Sequence, residues 1–183
     1  FPSKKIFNIL NVNSMKKYIK KIKPKYIIHC AGLSRPMDLH VKDICKSINL
    51  NIIGTANVVN VCNEFNIKLI YFSTGYVYEG KKGNYSEHDP VKPFNNYGLS
   101  KLGGECAVRM YENSLVLRLT MTEKPFKYKK AYSNLFTNFM FHEEVVELLP
   151  LIINQRGIIN VGGKSQSVYL FAKSHNTKIK KIK

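Results

Sequence analysis

The feature that most constrains this chain is a repeated change of period. Short, almost continuously apolar runs give way to longer segments whose apolar residues recur every three to four positions. Tyr26-Ile27-Ile28-His29-Cys30 is the first such run, closed by Ala31-Gly32; Ile67–Phe72 is the second and ends in Ser73-Thr74; Leu115–Leu119 is the third. Apolar runs of this length without polar alternation predict strands covered on both faces. Between them the spacing predicts a helix from Asp43 to Phe65, carrying Ile44, Ile48, Ile52 and Val59, and another from Asn96 to Tyr111. Strands that alternate with amphipathic helices imply parallel pairing through right-handed crossovers, hence an open α/β sheet with helices on both faces. Ligands bind such sheets beyond the carboxyl ends of the strands, which nominates residues 29–35, 73–78 and 120–125 as site-lining.

Ser14 reads as the N-cap of an earlier helix in which Met15, Tyr18, Ile19 and Ile22 share one face and lysines occupy the other. Beyond Leu119 the pattern fades. Residues 128–138 show no period, His142–Ile153 reads as a helix despite Pro150, and Gly157–Val161 reads as a strand. The lysine-rich end, Lys178–Lys183, is expected to fray into solvent.

With 183 residues and 44% hydrophobic content, the chain supports one ordinary core. It has no leader-like amino end and no uncharged apolar stretch of about 18 residues, so it reads as a soluble, cytoplasmic protein without a membrane partner. Cys30, Cys45, Cys62 and Cys106 form no CxxC pair, and most of them sit in apolar segments where a thiol behaves as a small hydrophobe. The formal charge of +17 comes almost entirely from lysine; the arginines are Arg35, Arg109, Arg118 and Arg156. Nucleic-acid readers favour arginine for bidentate contacts, and no such motif is present, so nucleic acid is not expected as a partner.

The residues able to do chemistry are Ser73-Thr74 at a strand end and, after a loop holding Glu87 and Asp89, Tyr97-Gly98-Leu99-Ser100-Lys101 at the start of a helix. The i, i+4 spacing puts the phenol and the ammonium on one helical face, where a positive charge favours the phenolate. A phenol titrates near pH 10, so proton exchange at neutral pH needs such help. His29 reads as a packed, hydrogen-bonded histidine, and no metal site is expected, since no carboxylate or thiol stands at ligand spacing from it.

The string Tyr71-Phe72-Ser73-Thr74-Gly75-Tyr76-Val77-Tyr78-Glu79-Gly80 resembles the segment before the active-site loop of dTDP-4-dehydrorhamnose reductases, members of the extended short-chain dehydrogenase/reductase superfamily. Tyr85-Ser86-Glu87, Pro93, Tyr97–Leu102, Gly104-Glu105, His29–Gly32, Asn51 and Gly54-Thr55 continue the resemblance in order. It implies a Rossmann-like fold: residues 1–120 as a partial NAD(P)-binding domain, 121–173 as a reduced substrate-binding part and 174–183 as a basic tail. It also implies NADP or NAD as cofactor, a nucleotide sugar as substrate, and reduction of a nucleoside diphosphate-linked 4-keto-6-deoxy sugar as in dTDP-rhamnose biosynthesis; it leaves a homodimer open. Thr74, Tyr97 and Lys101 would be catalytic, with Tyr97 giving a proton and Lys101 lowering its pKa and holding the cofactor ribose. Cys30, Ala31, Gly32, Asn51 and Ser73 would join Tyr97 and Lys101 around the cofactor, while Arg35, Gly75 and Tyr76 would face the substrate, with His40 near its phosphates.

Two departures stand out. Gly75 occupies a place where the reductases carry aspartate, and no glycine precedes Gly32, so the pyrophosphate-binding turn is absent. Because Phe1 is not a start residue, an upstream segment carrying that turn is expected. An epimerase or dehydratase of the same superfamily, or a non-catalytic binding or regulatory relative, are the rival readings.

Overall fold

The structure, a computed structural model, describes residues 2–183. The first stretch runs α1 (Val12–Ile22), β1 (Tyr26–His29), α2 (Leu39–Lys42), α3 (Ile44–Ile48), a π-helical turn (Asn49–Ile53), α4 (Gly54–Glu64), β2 (Lys68–Thr74), a 3-10 turn (Gly75–Val77), α5 (Asn96–Arg109) and β3 (Ser114–Leu119). It continues through β4 (Met121–Thr122), β5 (Lys130–Tyr132), β6 (Phe136–Thr137), β7 (Met140–Phe141), α6 (His142–Ile152), β8 (Gly157–Val161), β9 (Gln166–Ser167), α7 (Val168–His175) and β10 (Lys180–Ile182). The chain divides into two compact units. One holds the residues up to Arg118 together with Gln155–Asn160; the other holds Leu119–Asn154 and Val161–Lys183.

The first unit is built on a sheet of order β1-β2-β3-β8. β1 and β2 pair in parallel, Tyr26 opposite Lys68 and His29 opposite Tyr71. Helix α4 connects β1 to β2 and α5 connects β2 to β3, the Rossmann-like alternation of strand and helix. Every residue of β3 and all but one of β2 are buried, as expected of strands covered on both faces, whereas β1, at the end of the sheet order, departs from that expectation and leaves Tyr26 and Ile28 exposed. Met15 and Ile19 of α1, Val58, Val61 and Cys62 of α4, Leu69 and Tyr71 of β2, Val108 of α5 and Val116 of β3 form the core.

Several sequence expectations shift. The N-cap of α1 is Asn11, whose side chain accepts a bond from the Ser14 amide at 3.0 Å, so the helix begins two residues before Ser14. The long helix expected over 43–65 is α3 and α4 joined by the π-helical turn, a widening that inserts Asn51 towards the loop after β1. Of the four cysteines only Cys62 is buried; Cys45 and Cys106 sit on the solvent faces of their helices and Cys30 lies beyond the end of β1.

The second unit packs Phe126, Phe141, Val168, Phe171 and Ile179 into a small core of its own. Its strands are two or three residues long, too short for a period of two to register in residues 128–138. The lysine-rich end does not fray throughout: β10 pairs in parallel with β5, Lys180 opposite Lys130, and buried Ile179 anchors it.

One polar contact ties the first unit together from inside. Glu105 of α5 and Arg118 of β3 are almost wholly buried and paired at 2.6 Å, with a second contact from Arg118 Nε to Glu105 Oε2 at 3.3 Å. Removing one partner strands a buried charge. Arg118→Met should therefore lower the unfolding free energy by about 3–5 kcal/mol in urea, and the double change Glu105→Leu with Arg118→Met should recover most of the loss. A double variant as unstable as the single one would contradict this.

Candidate active site

The first turn of α5 is pressed against the turn that ends β2. The Asn95 side chain caps the helix by accepting from the Gly98 amide at 2.7 Å. A Cβ on Gly98 would collide with the Tyr76 carbonyl oxygen and lie 3.0 Å from Pro93 Cβ, so this close approach requires glycine. Thr74, the last residue of β2, accepts a bond from the Tyr76 amide at 3.3 Å through its hydroxyl. The Tyr97 ring lies between two others: Tyr76 edge-on at 5.9 Å and His40 tilted at 5.2 Å.

Burial raises the Tyr97 pKa above the usual tyrosine range, hydrogen bonding with Thr74 opposes that rise, Tyr76 adds to it, and the positive charge of Arg35 opposes it. The charge favouring the phenolate is thus Arg35's rather than Lys101's. Lys101, one helical turn later, points at the sheet and stands 4.1 Å from the centre of the Tyr71 ring. Its burial drives its pKa down to about 8, against the pull of Cys30 and Glu105. A cation kept 8% exposed over an aromatic face has lost most of its water and is readied for a polar partner.

Asn51 binds the loop after β1 to α5. Its Oδ1 accepts from the Leu33 amide at 2.7 Å, while its Nδ2 donates to the Leu33 carbonyl at 2.9 Å and to Ser100 Oγ at 2.8 Å. A Cβ on Gly32 would stand 2.7 Å from Asn51 Oδ1, so Cys30-Ala31-Gly32 passes over the amide as nearly bare, solvent-exposed backbone. His29 is buried, 3.0 Å from Thr55 Oγ1 through Nε2 and stacked obliquely on Tyr71.

The expected residues therefore fall into two groups. Thr74, Tyr76 and Arg35 act on the Tyr97 phenol, while Lys101 and His29 meet at the Tyr71 ring, with Cys30 near enough to Lys101 to feel its charge. Ser73 donates to Glu105 Oε2 at 2.9 Å. His40, expected beside substrate phosphates, is buried against Tyr97. Sequence reasoning missed the bonds behind the site: Arg118 Nη1 donates to Tyr78 Oη at 2.6 Å, and Tyr78 Oη donates to Asn160 Oδ1 at 2.8 Å. The available signal was Arg118 itself, a charge inside an otherwise apolar strand. An open groove of about 810 Å³ lined by residues 87–91, Arg109 and Arg156 includes neither Tyr97 nor Lys101. Among the described residues no cluster of three or more His, Cys, Asp or Glu side chains suits a metal ion, and no helix is long and apolar enough to cross a membrane.

The family model for the RmlD substrate binding domain matches residues 2–148. The chain belongs to this family. It is 35% identical over 119 residues to methionine adenosyltransferase 2 subunit beta of Xenopus laevis, covering 64% of this chain and 35% of that protein. It is 36% identical over 98 residues to the probable low-salt glycan biosynthesis reductase Agl14 of Haloferax volcanii, covering 51% of this chain and 32% of that protein. The chain thus matches about a third of the length of these curated relatives. In fold it is similar to dTDP-4-dehydrorhamnose reductase from Bacillus anthracis, solved in complex with NADP: TM-score 0.88 at 23% identity, over 99% of this chain and 74% of that one.

His29 gives this RmlD family member a titration that reports on the site. Burial first, and the charge of Lys101 second, push its pKa down to about 3. In the unfolded chain the imidazole titrates near 6.5, so below that pH the unfolded state takes up a proton the folded state refuses, and stability falls with pH. From pH 7.5 to 5 this contributes a loss of about 2 kcal/mol. His29→Gln, neutral throughout, should show a correspondingly smaller drop in urea unfolding over that range; parallel curves would contradict it.

Proposed function

We propose that this chain carries the catalytic face of an NAD(P)H-dependent reductase acting on a nucleoside diphosphate-linked 4-keto-6-deoxy sugar. The observation that carries the reading is the hydrogen bond between Thr74, at the end of β2, and a protonated Tyr97 phenol, with a desolvated Lys101 ammonium one helical turn further along α5. Family membership, the NADP in the Bacillus anthracis structure and the name of the Haloferax protein support it. On this reading residues 1–120 carry the cofactor and the proton donor, and 121–173 are the reduced substrate-binding part.

The residues present suit the nicotinamide ribose. Gly32 offers backbone without a side chain, and Lys101 offers a buried ammonium whose present neighbours are an aromatic face, a thiol and the more distant Glu105 carboxylate. When bound, the nicotinamide supplies the hydride. Tyr97 holds a proton on its phenol oxygen because burial keeps that oxygen neutral, and it delivers the proton to the sugar oxygen as negative charge develops there. Thr74 orients the phenol through their shared hydrogen bond. Lys101 binds ribose hydroxyls, and Arg35 stabilises the phenolate left behind. Gly75 and Tyr76, in the 3-10 turn that follows β2, face the sugar.

The 35% identity to methionine adenosyltransferase 2 subunit beta favours a second reading, in which the fold serves as a binding subunit of another enzyme. A purely binding role gives no reason to hold threonine, tyrosine and lysine in this arrangement.

Turnover separates the two. In the gene product that contains this chain, Tyr97→Phe should slow single-turnover NAD(P)H oxidation with a 4-keto-6-deoxy nucleotide sugar by roughly two to four orders of magnitude while leaving cofactor binding nearly unchanged. Thr74→Val should cost less, and Lys101→Met should weaken both turnover and cofactor affinity. Cofactor affinity in the unaltered protein should decline as pH rises through about 8, where Lys101 gives up its charge. Unchanged rates in Tyr97→Phe would place the acid elsewhere.

A further inference from the structure

Tyr97 acts from the first turn of α5, where the helix's own hydrogen-bond ladder gives least support. Two adjacent fastenings lead from this turn to a single residue of α2. Asn96 Nδ2 donates to the His40 carbonyl at 3.0 Å, and the Tyr97 ring packs on the His40 ring at 5.2 Å with an interplanar angle of 59°. His40 is itself enclosed and bonded: it is 1% exposed, and its Nδ1 lies 2.7 Å from Oγ of buried Ser47 in α3. The other ring against Tyr97, Tyr76, is 46% exposed and meets the exposed Phe94 edge-on. Of the two neighbours, His40 is the more firmly held.

The His40 ring is also held through its polar atoms: beside the Ser47 contact, the Ser34 backbone bonds to the imidazole. An apolar ring would pack against Tyr97 but would leave Ser47 unpaired. The imidazole meets both demands: it offers a flat aromatic face to Tyr97 and a nitrogen to Ser47.

We propose that His40 is the positioning residue for Tyr97, the rigid wall that sets the rotation of the phenol ring and so holds its oxygen to Thr74. It touches neither substrate nor cofactor and acts through the tyrosine. The inference rests on the reading of Tyr97 as proton donor and adds a residue to that site.

The test uses the same gene product. His40→Ala should lower kcat about tenfold to a hundredfold, the scale of a misplaced reacting group, with KM changed less than roughly twofold. His40→Phe, which restores the wall, should recover most of kcat despite the lost Ser47 bond. In a Tyr97→Phe background His40→Ala should cost nothing further, because there is no phenol left to position. A second readout is independent of activity. Ultraviolet titration of the wild-type protein minus Tyr97→Phe isolates this one phenol, and His40→Ala should bring its ionisation back towards pH 10 as water replaces the ring. A loss of kcat repeated in full in the Tyr97→Phe background, or a phenol titration unmoved by His40→Ala, would overturn the proposal. If even the wild-type protein oxidises no NAD(P)H with any 4-keto sugar, the reductase reading fails, and the titration alone decides the role of His40.

Discussion

The buried pair of Glu105 and Arg118 is the constraint on which the arrangement of the first unit rests. Two charges removed from water are expensive, and their attraction repays the cost only when the remaining polar atoms are also met. Here they are. Ser73 serves the carboxylate, and Tyr78 Oη and the Glu87 carbonyl serve the guanidinium. The consequence is positional: the end of β2, the middle of α5, β3 and the loop of residues 78–87 cannot shift separately without stranding a charge. Thr74 follows Ser73 directly, and Glu105 lies one turn beyond Lys101. The groups that would do chemistry are therefore neighbours of a fixed anchor. Asn160 extends the anchor to β8, its side chain meeting Tyr78 and Tyr85 and its amide donating to Glu87.

Around the anchor, burial sets the protonation states. It keeps the Tyr97 phenol and the His29 imidazole neutral and brings Lys101 to about 8, within reach of ordinary pH. A phenol that holds its proton until charge develops on a nearby oxygen is suited to act as an acid, and a lysine short of water gains more from a new polar partner than a hydrated one does. The π-helical turn contributes the remaining element. By moving Asn51 inward it fastens the loop after β1 to Ser100, beside Lys101.

The strand and helix alternation was legible because β2 and β3 are buried on both faces and so carry apolar runs, Leu69–Phe72 and Leu115–Leu117. Tyr97, Thr74 and Lys101 were legible as a spacing. Their partners were not. The spacing puts Tyr97 and Lys101 on one face of α5, but it cannot tell that the ring turns to His40 while the ammonium turns to Tyr71, since those partners lie far away in the chain. His40 and Ser47 give no periodic signal in their short helices. Arg118 was readable only as an anomaly in an apolar run, and its partner Glu105 only through resemblance. In the second unit the strands are too brief for any pattern, and pairing between β5 and β10, some fifty residues apart, is a tertiary fact.

The central claim is that this site moves a hydride to a sugar and a proton from Tyr97 behind it. The most direct measurement follows the hydride itself. The gene product is incubated with NAD(P)H deuterated on each face of C4 in turn, together with a nucleoside diphosphate-linked 4-keto-6-deoxy sugar, and the sugar is examined by NMR and mass spectrometry. Deuterium at C4 of the sugar from one face only is the predicted result; cofactor consumed with no deuterium in the sugar, or no transfer from either face, would contradict it.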